Sequence, residues 1–182
     1  MEIRSLSAAN FVDWETLLGE ACGGCWCMAS RLHREAFDGG TGEPNRRAFR
    51  ALVEAGRTPG LLAYEDGAPV GWISVEPREA FPALDVSPTA ARVDDRPVWS
   101  ITCLYVRPDR RRGGFSSRLV AAACDHARRN GATCVESYPV VPEGGPIADD
   151  AAWVGPRGTY AKAGFVEVAR RSPTRAIMRF EV

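Results

Sequence analysis

Residues 98–106, Val-Trp-Ser-Ile-Thr-Cys-Leu-Tyr-Val, are rich in β-branched and aromatic side chains. They lead straight into Arg107-Pro108-Asp109-Arg110-Arg111-Arg112-Gly113-Gly114-Phe115-Ser116-Ser117. The first stretch reads as a buried strand and the second as a basic, Gly-rich turn. Apolar residues at helical spacing then predict a helix over 116–130, which Gly131 stops. Residues 133–138 read as another strand. The strands and the helix between them are part of an α/β sheet architecture.

The rest of the chain supplies that sheet. Ile3 and Leu6 begin a short strand. Phe11, Trp14, Leu17 and Leu18 fall at helical spacing within 8–18. Asn45 is placed to cap a helix running to Ala55, with Phe49, Leu52 and Val53 on one face. Residues 61–64 and 70–75 read as strands around Asp66-Gly67, a hairpin turn signal. Residues 76–97 contain four prolines and read as a long surface loop; 139–158 read as a Pro/Gly-rich loop. Residues 159–163 predict a short helix closed by Gly164, and 165–170 and 177–182 the last strands. The order β-α-α-β-β-β-α-β-α-β-β predicts an α/β (α+β) fold. No repeat or linker divides the chain, so 1–182 reads as a single domain.

Lys+Arg and Asp+Glu both number 23, giving zero net charge. A long polyanion such as a nucleic acid is therefore not expected as a partner. Every one of those cations except Lys162 is Arg, a bias that fits a GC-rich, bacterial-like genome. No apolar run reaches the length needed to span a membrane. The start, Met1-Glu2-Ile3-Arg4-Ser5, lacks an apolar stretch behind a basic head, so a cytoplasmic protein is expected.

The turn after 98–106 is where chemistry is expected. The first N–H groups of a helix have no internal partner, and with the helix dipole they favour an anion. Gly113 and Gly114 permit close approach and unusual dihedrals. Ser116 and Ser117 are good caps and hydroxyl donors, and Arg111 and Arg112 add charge. A pyrophosphate held by backbone is one reading; a basic turn on a solvated face is the other. Neither GxxxxGK(S/T) nor a post-strand GxGxxG is present, which argues against P-loop and Rossmann nucleotide sites.

The stretch Val106-Arg107-Pro108-Asp109-Arg110-Arg111-Arg112-Gly113-Gly114-Phe115-Ser116 resembles motif A of the GNAT family of N-acetyltransferases. That motif is a strand, V-x-P, then R/Q-x-x-G-x-G/A opening a helix. Arg111, Gly114 and Ser116 take its key places, with Ser116 departing from the usual Gly or Ala. Tyr160-Ala161-Lys162-Ala163-Gly164-Phe165 is similar to motif B, Y-x-K-x-G-F. The resemblance implies the GNAT fold, a mixed central sheet of about six to seven strands flanked by about four helices. It also implies acetyl-CoA as co-substrate. The backbone of Leu104, Tyr105 and Val106 would line the pantetheine arm. The N–H groups of Arg111, Arg112, Gly113, Gly114, Phe115 and Ser116, with Ser117 beside them, would hold the pyrophosphate.

By the same resemblance Tyr160 stands where many members place a general acid. A tyrosine near ~10 can protonate a thiolate whose acid is near ~8.5. The alternative is an aromatic that only packs beside the cofactor. For the base, Glu136 is the best-placed carboxylate, although strand alternation could equally turn it to solvent. Glu76 is the runner-up, and a water chain would dispense with either. His126 reads as a surface residue, whereas His33 is close enough in sequence to the cysteine cluster to reach the acceptor.

Cys22, Cys25, Cys27, Cys103, Cys124 and Cys134 read as reduced, buried thiols. Cys22-x2-Cys25-x-Cys27, with His33, could in principle ligate zinc. The spacing matches no zinc module, so no metal is expected, and a turn packing beneath the acceptor pocket is the preferred reading. A redox role is not favoured, because no βαβ thioredoxin pattern surrounds the cysteines. Trp26, Trp72, Trp99 and Trp153 are candidates for an apolar acceptor pocket.

The expected function is transfer of acetyl from acetyl-CoA to a primary amine of a small molecule. Protein N-terminal or lysine acetylation, and non-catalytic CoA sensing, are the alternatives. Glu76, Glu79, Asp85, Asp94 and Asp95 in the 76–97 loop could attract a cationic amine, or merely be solvated. Many such proteins form homodimers, which leaves monomer and homodimer both open.

Overall fold

The computed structural model describes residues 1–19, 21–142 and 152–182. Seven strands form one sheet: β1 (Glu2–Ser5), β2 (Gly60–Glu65), β3 (Ala68–Pro77), β4 (Trp99–Val106), β5 (Cys134–Ser137), β6 (Val166–Ser172) and β7 (Arg175–Glu181). The order across it is β1-β2-β3-β4-β5-β7-β6. Only β4 and β5 pair in parallel among these strands; the other neighbours are antiparallel. The helices are α1 (Phe11–Leu18), α2 (Arg34–Gly39), α3 (Glu43–Glu54), α4 (Phe115–Arg129) and α5 (Arg157–Lys162).

The turns form where the chain makes them cheapest. Asp66 and Gly67 take φ of 51° and 80°, as a two-residue hairpin between β2 and β3 requires. Gly131 and Gly164 have φ of 87° and 90° just beyond α4 and α5, ending both helices. One face of the sheet packs on α4, where Leu119, Val120 and Ala123 meet Ile73, Val75, Ile101 and Leu104. The other face packs on α1 and α3, through Trp14, Phe49, Trp72 and Cys103.

Several sequence expectations are corrected. Helix α2 was not anticipated. Helix α3 begins at Glu43, with Gly42 at its cap position and φ 92°, so Asn45 lies inside the first turn and is buried. Helix α4 begins at Phe115, with Gly114 rather than a serine at the cap. Residues 76–97 are not a loose surface loop. Phe81, Leu84 and Ala90 are buried there against Tyr138 and Ile177. His126 is buried too, its ring edge-on to Trp99 at 5.8 Å. Of the 139–158 loop, residues 143–151 lie outside the described residues; α5 starts at Arg157 rather than 159.

Candidate active site

Strands β4 and β5 pair only from Trp99↔Val135 to Ile101↔Ser137. Beyond Ile101, β4 has no β5 partner, and its edge is left along Leu104, Tyr105 and Val106. A register shift against β3, between Ser74 and Val75, leaves Thr102 without a facing residue. This is a β-bulge, which loosens the ladder and re-aims the strand.

A groove of about 720 Å³ follows that edge. It is lined by Leu104, Tyr105 and Val106, by Arg111, Arg112, Gly114, Phe115, Ser116 and Ser117, and on its far side by Trp153, Gly155 and Thr159. Arg112 and Gly114 take φ of 68° and 78°. This left-handed turn aims the start of α4 into the groove. No side chain caps α4, and its first intrahelical bond runs from Arg118 N–H to the Gly114 carbonyl. The N–H groups of Phe115, Ser116 and Ser117 therefore have no acceptor within the helix. A Cβ built on Gly114 would meet no protein atom within 4 Å. Gly113 does not line the groove; a Cβ there would press on the Phe115 ring at 3.1 Å, so its role is to let the turn close. The Arg111 guanidinium is tied to the Val106 carbonyl at 3.3 Å, linking turn and strand end.

The opposite wall is built by the chain returning to β5. The Val140 N–H donates to the Gly155 carbonyl at 3.1 Å, and the Arg157 N–H to the Val140 carbonyl at 2.8 Å. Trp153 stacks on Tyr105 at 5.5 Å with the rings 20° apart. Of the four tryptophans considered for an acceptor pocket, only Trp153 lines this groove. Trp72 is fully buried, Trp26 packs on Trp14 at 5.6 Å, and Trp99 meets His126.

The structure does not bring the Tyr160 hydroxyl into the groove. Its ring is fully buried, edge-on to Phe165, and its hydroxyl donates to the Val154 carbonyl at 2.7 Å. Burial pushes the phenol well above its usual range, which weakens it as an acid.

Glu136 does not face solvent. It is 1% exposed, and both carboxylate oxygens are engaged. One accepts from Arg78 at 3.0 Å and from the Tyr138 hydroxyl at 2.8 Å; the other accepts from Arg179 at 2.8 Å. Glu76 is held the same way, between Arg31 and Arg57, with Arg31 also donating to Ser74 at 3.2 Å. Sequence reasoning missed these buried arginines, because an Arg in a polar loop reads as a solvated one. Four of the five acids named in the 76–97 segment are paired with arginines, and Asp95 is exposed. Glu76 pairs with Arg31 and Arg57, Asp85 with Arg78 and Arg92, Glu79 with Arg92, and Asp94 with Arg179.

All six cysteines are free thiols; Cys25 and Cys27 are half-buried rather than buried. His33 is exposed at the head of α2. Among the described residues, no group of three or more His, Cys, Asp or Glu is arranged to hold a metal ion. No helix among them is long and apolar enough to cross a membrane.

A family model described as acetyltransferase (GNAT) family matches residues 26–143, well over half of the chain. The chain belongs to the GNAT acetyltransferase family. It is an acyltransferase by that membership, with a mixed seven-stranded sheet of the family's kind. The matched segment takes in β4, the Gly114 turn and α4, but ends before Tyr160. Solved GNAT structures share the fold at low identity. The PaiA N-acetyltransferase of Thermoplasma acidophilum, in complex with coenzyme A, is 15% identical with a TM-score of 0.58, over 100% of this chain and 98% of that one. The ribosomal-protein-alanine N-acetyltransferase of Brucella melitensis is 16% identical with a TM-score of 0.58, over 100% of each chain. The aminoglycoside 6'-N-acetyltransferase of Acinetobacter haemolyticus is 18% identical with a TM-score of 0.56, over 93% of this chain and 94% of that one. No curated protein gives a significant match.

Proposed function

We propose that this GNAT protein uses acetyl-CoA to acetylate a primary amine of a small molecule in the cytoplasm, by direct attack on the thioester. The observation that carries this reading is the continuity of one groove, from the uncapped start of α4 to the unpaired edge of β4. The N–H groups of Phe115, Ser116 and Ser117, with Arg111 and Arg112, would hold the pyrophosphate. Gly113 and Gly114 form the turn that exposes them. The backbone edge at Leu104, Tyr105 and Val106 would take the amide-bearing pantetheine arm as an added strand. Acetyl-CoA, when bound, supplies an acetyl group activated as a thioester.

An alkylamine must lose a proton before it attacks. Glu76 and Glu136 already have their oxygens engaged by arginines, so in this reading the proton passes to water. Glu136 then serves as a positioning residue that fixes β5 to the 76–97 segment through Arg78. Tyr160 anchors the Val154 turn rather than donating a proton. A chain without net charge sets up no long-range field to gather a charged polymer, which favours a small acceptor over a peptide tail.

The experiment is release of the coenzyme A thiol over a panel of polyamines, aminoglycosides, amino acids and peptides. Turnover with a small amine supports the proposal. Turnover confined to peptides would establish protein acetylation instead, and no turnover with any amine would point to a CoA sensor.

A further inference from the structure

The cysteines at the end of α1 are used nowhere in the proposed reaction, yet their arrangement is specific. Gly23 and Gly24 take φ of 55° and 80°, and the Cys25 N–H donates to the Cys22 carbonyl at 3.0 Å. This closes a tight turn with one thiol at each end. The turn is held from outside: the Gly24 carbonyl accepts from the Gly42 N–H at 2.9 Å, and a Cβ on Gly24 would press on Gly42 and Thr41 at 3.0 Å. Trp26 and Cys27 follow with φ of 46° and 57°, left-handed conformations that side-chain-bearing residues seldom adopt. Such strain persists only where the surrounding structure enforces it, and it tends to mark functional sites. Here it is enforced by the Trp72 indole N–H, which donates to the Cys27 sulfur at 3.2 Å, and by the Trp26–Trp14 packing.

We infer that Cys22 and Cys25 form a reversible dithiol–disulfide site that is oxidised by peroxides. The backbone bond that closes the turn brings Cys22 and Cys25 to within the reach of one turn, the range over which two cysteines can be bridged. Interaction with Cys25 pulls the Cys22 thiol below its ordinary range, and interaction with Cys22, with burial, raises Cys25. A thiolate is the nucleophile in thiol oxidation, and a neighbouring thiol resolves the product. Cys22 itself is buried, but Cys25 is half-buried beside it, and peroxide is little larger than water. In contrast, burial pushes Cys124 up to about 12, and Cys103 is raised by its contact with Cys27 and by burial. Neither is poised to react first.

The step balances with peroxide as oxidant. The Cys22 sulfur attacks one peroxide oxygen; the O–O bond breaks and hydroxide leaves as water with a proton from the thiol pair. Cys22 is then a sulfenic acid. The Cys25 sulfur attacks the Cys22 sulfur, the S–S bond forms and the S–OH bond breaks, releasing a second water. Two thiols are oxidised and one peroxide is reduced to two waters. Ala21, the residue before Cys22, lines the groove beside Tyr105 and Trp153, so this chemistry takes place next to the proposed cofactor site.

The test reads mass rather than acetyl transfer, so it stands or falls apart from the proposed function. The whole chain is treated with equimolar hydrogen peroxide, its remaining thiols are alkylated, and the products are mapped by mass spectrometry. Two of the six thiols should resist alkylation, with loss of two hydrogens mapped to a Cys22–Cys25 bond that dithiothreitol reverses. Cys27→Ser should behave as wild type. Cys25→Ser should accumulate a Cys22 sulfenic acid that dimedone traps, and Cys22→Ser should form no disulfide. Full alkylation of all six thiols after peroxide would overturn the inference. So would a bond between Cys27 and Cys103, or undiminished oxidation in Cys22→Ser.

Discussion

The Tyr160 hydroxyl, which the family motif suggests as an acid, donates to the Val154 carbonyl at 2.7 Å and ties α5 to the groove wall. Removing only that oxygen should therefore cost little chemistry. Tyr160→Phe is expected to keep kcat within about 10-fold of wild type, against the ~10²–10⁴-fold expected for loss of a general acid. It should lose about 1 kcal/mol of stability, the usual net worth of one hydrogen bond. Steady-state kinetics and denaturant unfolding measure both. A large fall in kcat with unchanged KM would restore Tyr160 as the proton donor.

With Glu76 and Glu136 both engaged by arginines, the pH dependence should belong to the acceptor. The logarithm of kcat/KM should rise with pH until the amine itself is deprotonated, with no break in the carboxylate range. Glu136→Gln should leave the shape of that profile unchanged while lowering stability. A break present in wild type and absent in Glu136→Gln would make Glu136 the base.

Arg78 is 1% exposed and satisfies four partners at once: Glu136, Asp85, the Tyr138 hydroxyl and the Ala90 carbonyl. Arg78→Ala leaves Glu136 buried with one cation fewer. A loss of about 3–5 kcal/mol in urea unfolding is expected, because the buried Glu136 carboxylate then keeps Arg179 as its one cation partner and the other groups bonded to Arg78 lose theirs. A loss under about 1 kcal/mol would show the pair to behave like an exposed one.

What the sequence revealed and what it hid divide along physical lines. The β4–turn–α4 unit was legible because burial on both faces forces an unbroken apolar strand, and the glycines mark where the backbone turns left-handed. Asp66-Gly67, Gly131 and Gly164 were legible for the same backbone reason. Helix α2 was hidden because only Phe37 among its six residues offers a large apolar side chain, so there is no periodicity to read. The Arg31, Arg78 and Arg179 ion pairs were hidden because their acids lie far away in the chain, and charge alone does not mark burial. The 76–97 segment and His126 were misjudged because their burial comes from tertiary contacts that the local sequence does not mark. The Tyr160 motif was visible, but the direction of its hydroxyl depends on the Val154 turn, which no local pattern encodes.

Acid should loosen the molecule through two carboxylates. The hydrogen bond from Arg179 holds Asp94 down at about 2, and those from Arg170 and Arg157 hold Glu167 at about 2. Both folded values lie below the unfolded range near ~4, so each contribution is complete above about pH 4 and is lost as pH falls toward about 2. Thermal unfolding followed between those limits should show Tm falling, and Asp94→Asn should flatten part of the decline. Because Asp94 is exposed and Glu167 is only half-buried, the effect should also shrink in high salt.

Calorimetric titration with acetyl-CoA, comparing wild type with Gly114→Val, bears most directly on the groove. Wild type is expected to bind at one site per chain. In Gly114→Val a β-branched side chain is forced onto a backbone with φ 78°, and its Cβ enters open space at the head of α4. The account predicts a loss of at least about 100-fold in affinity, some 2.7 kcal/mol, with the variant still folded by circular dichroism. Unchanged affinity in a folded Gly114→Val, or no binding by the wild type, would contradict the assignment of the groove to acetyl-CoA.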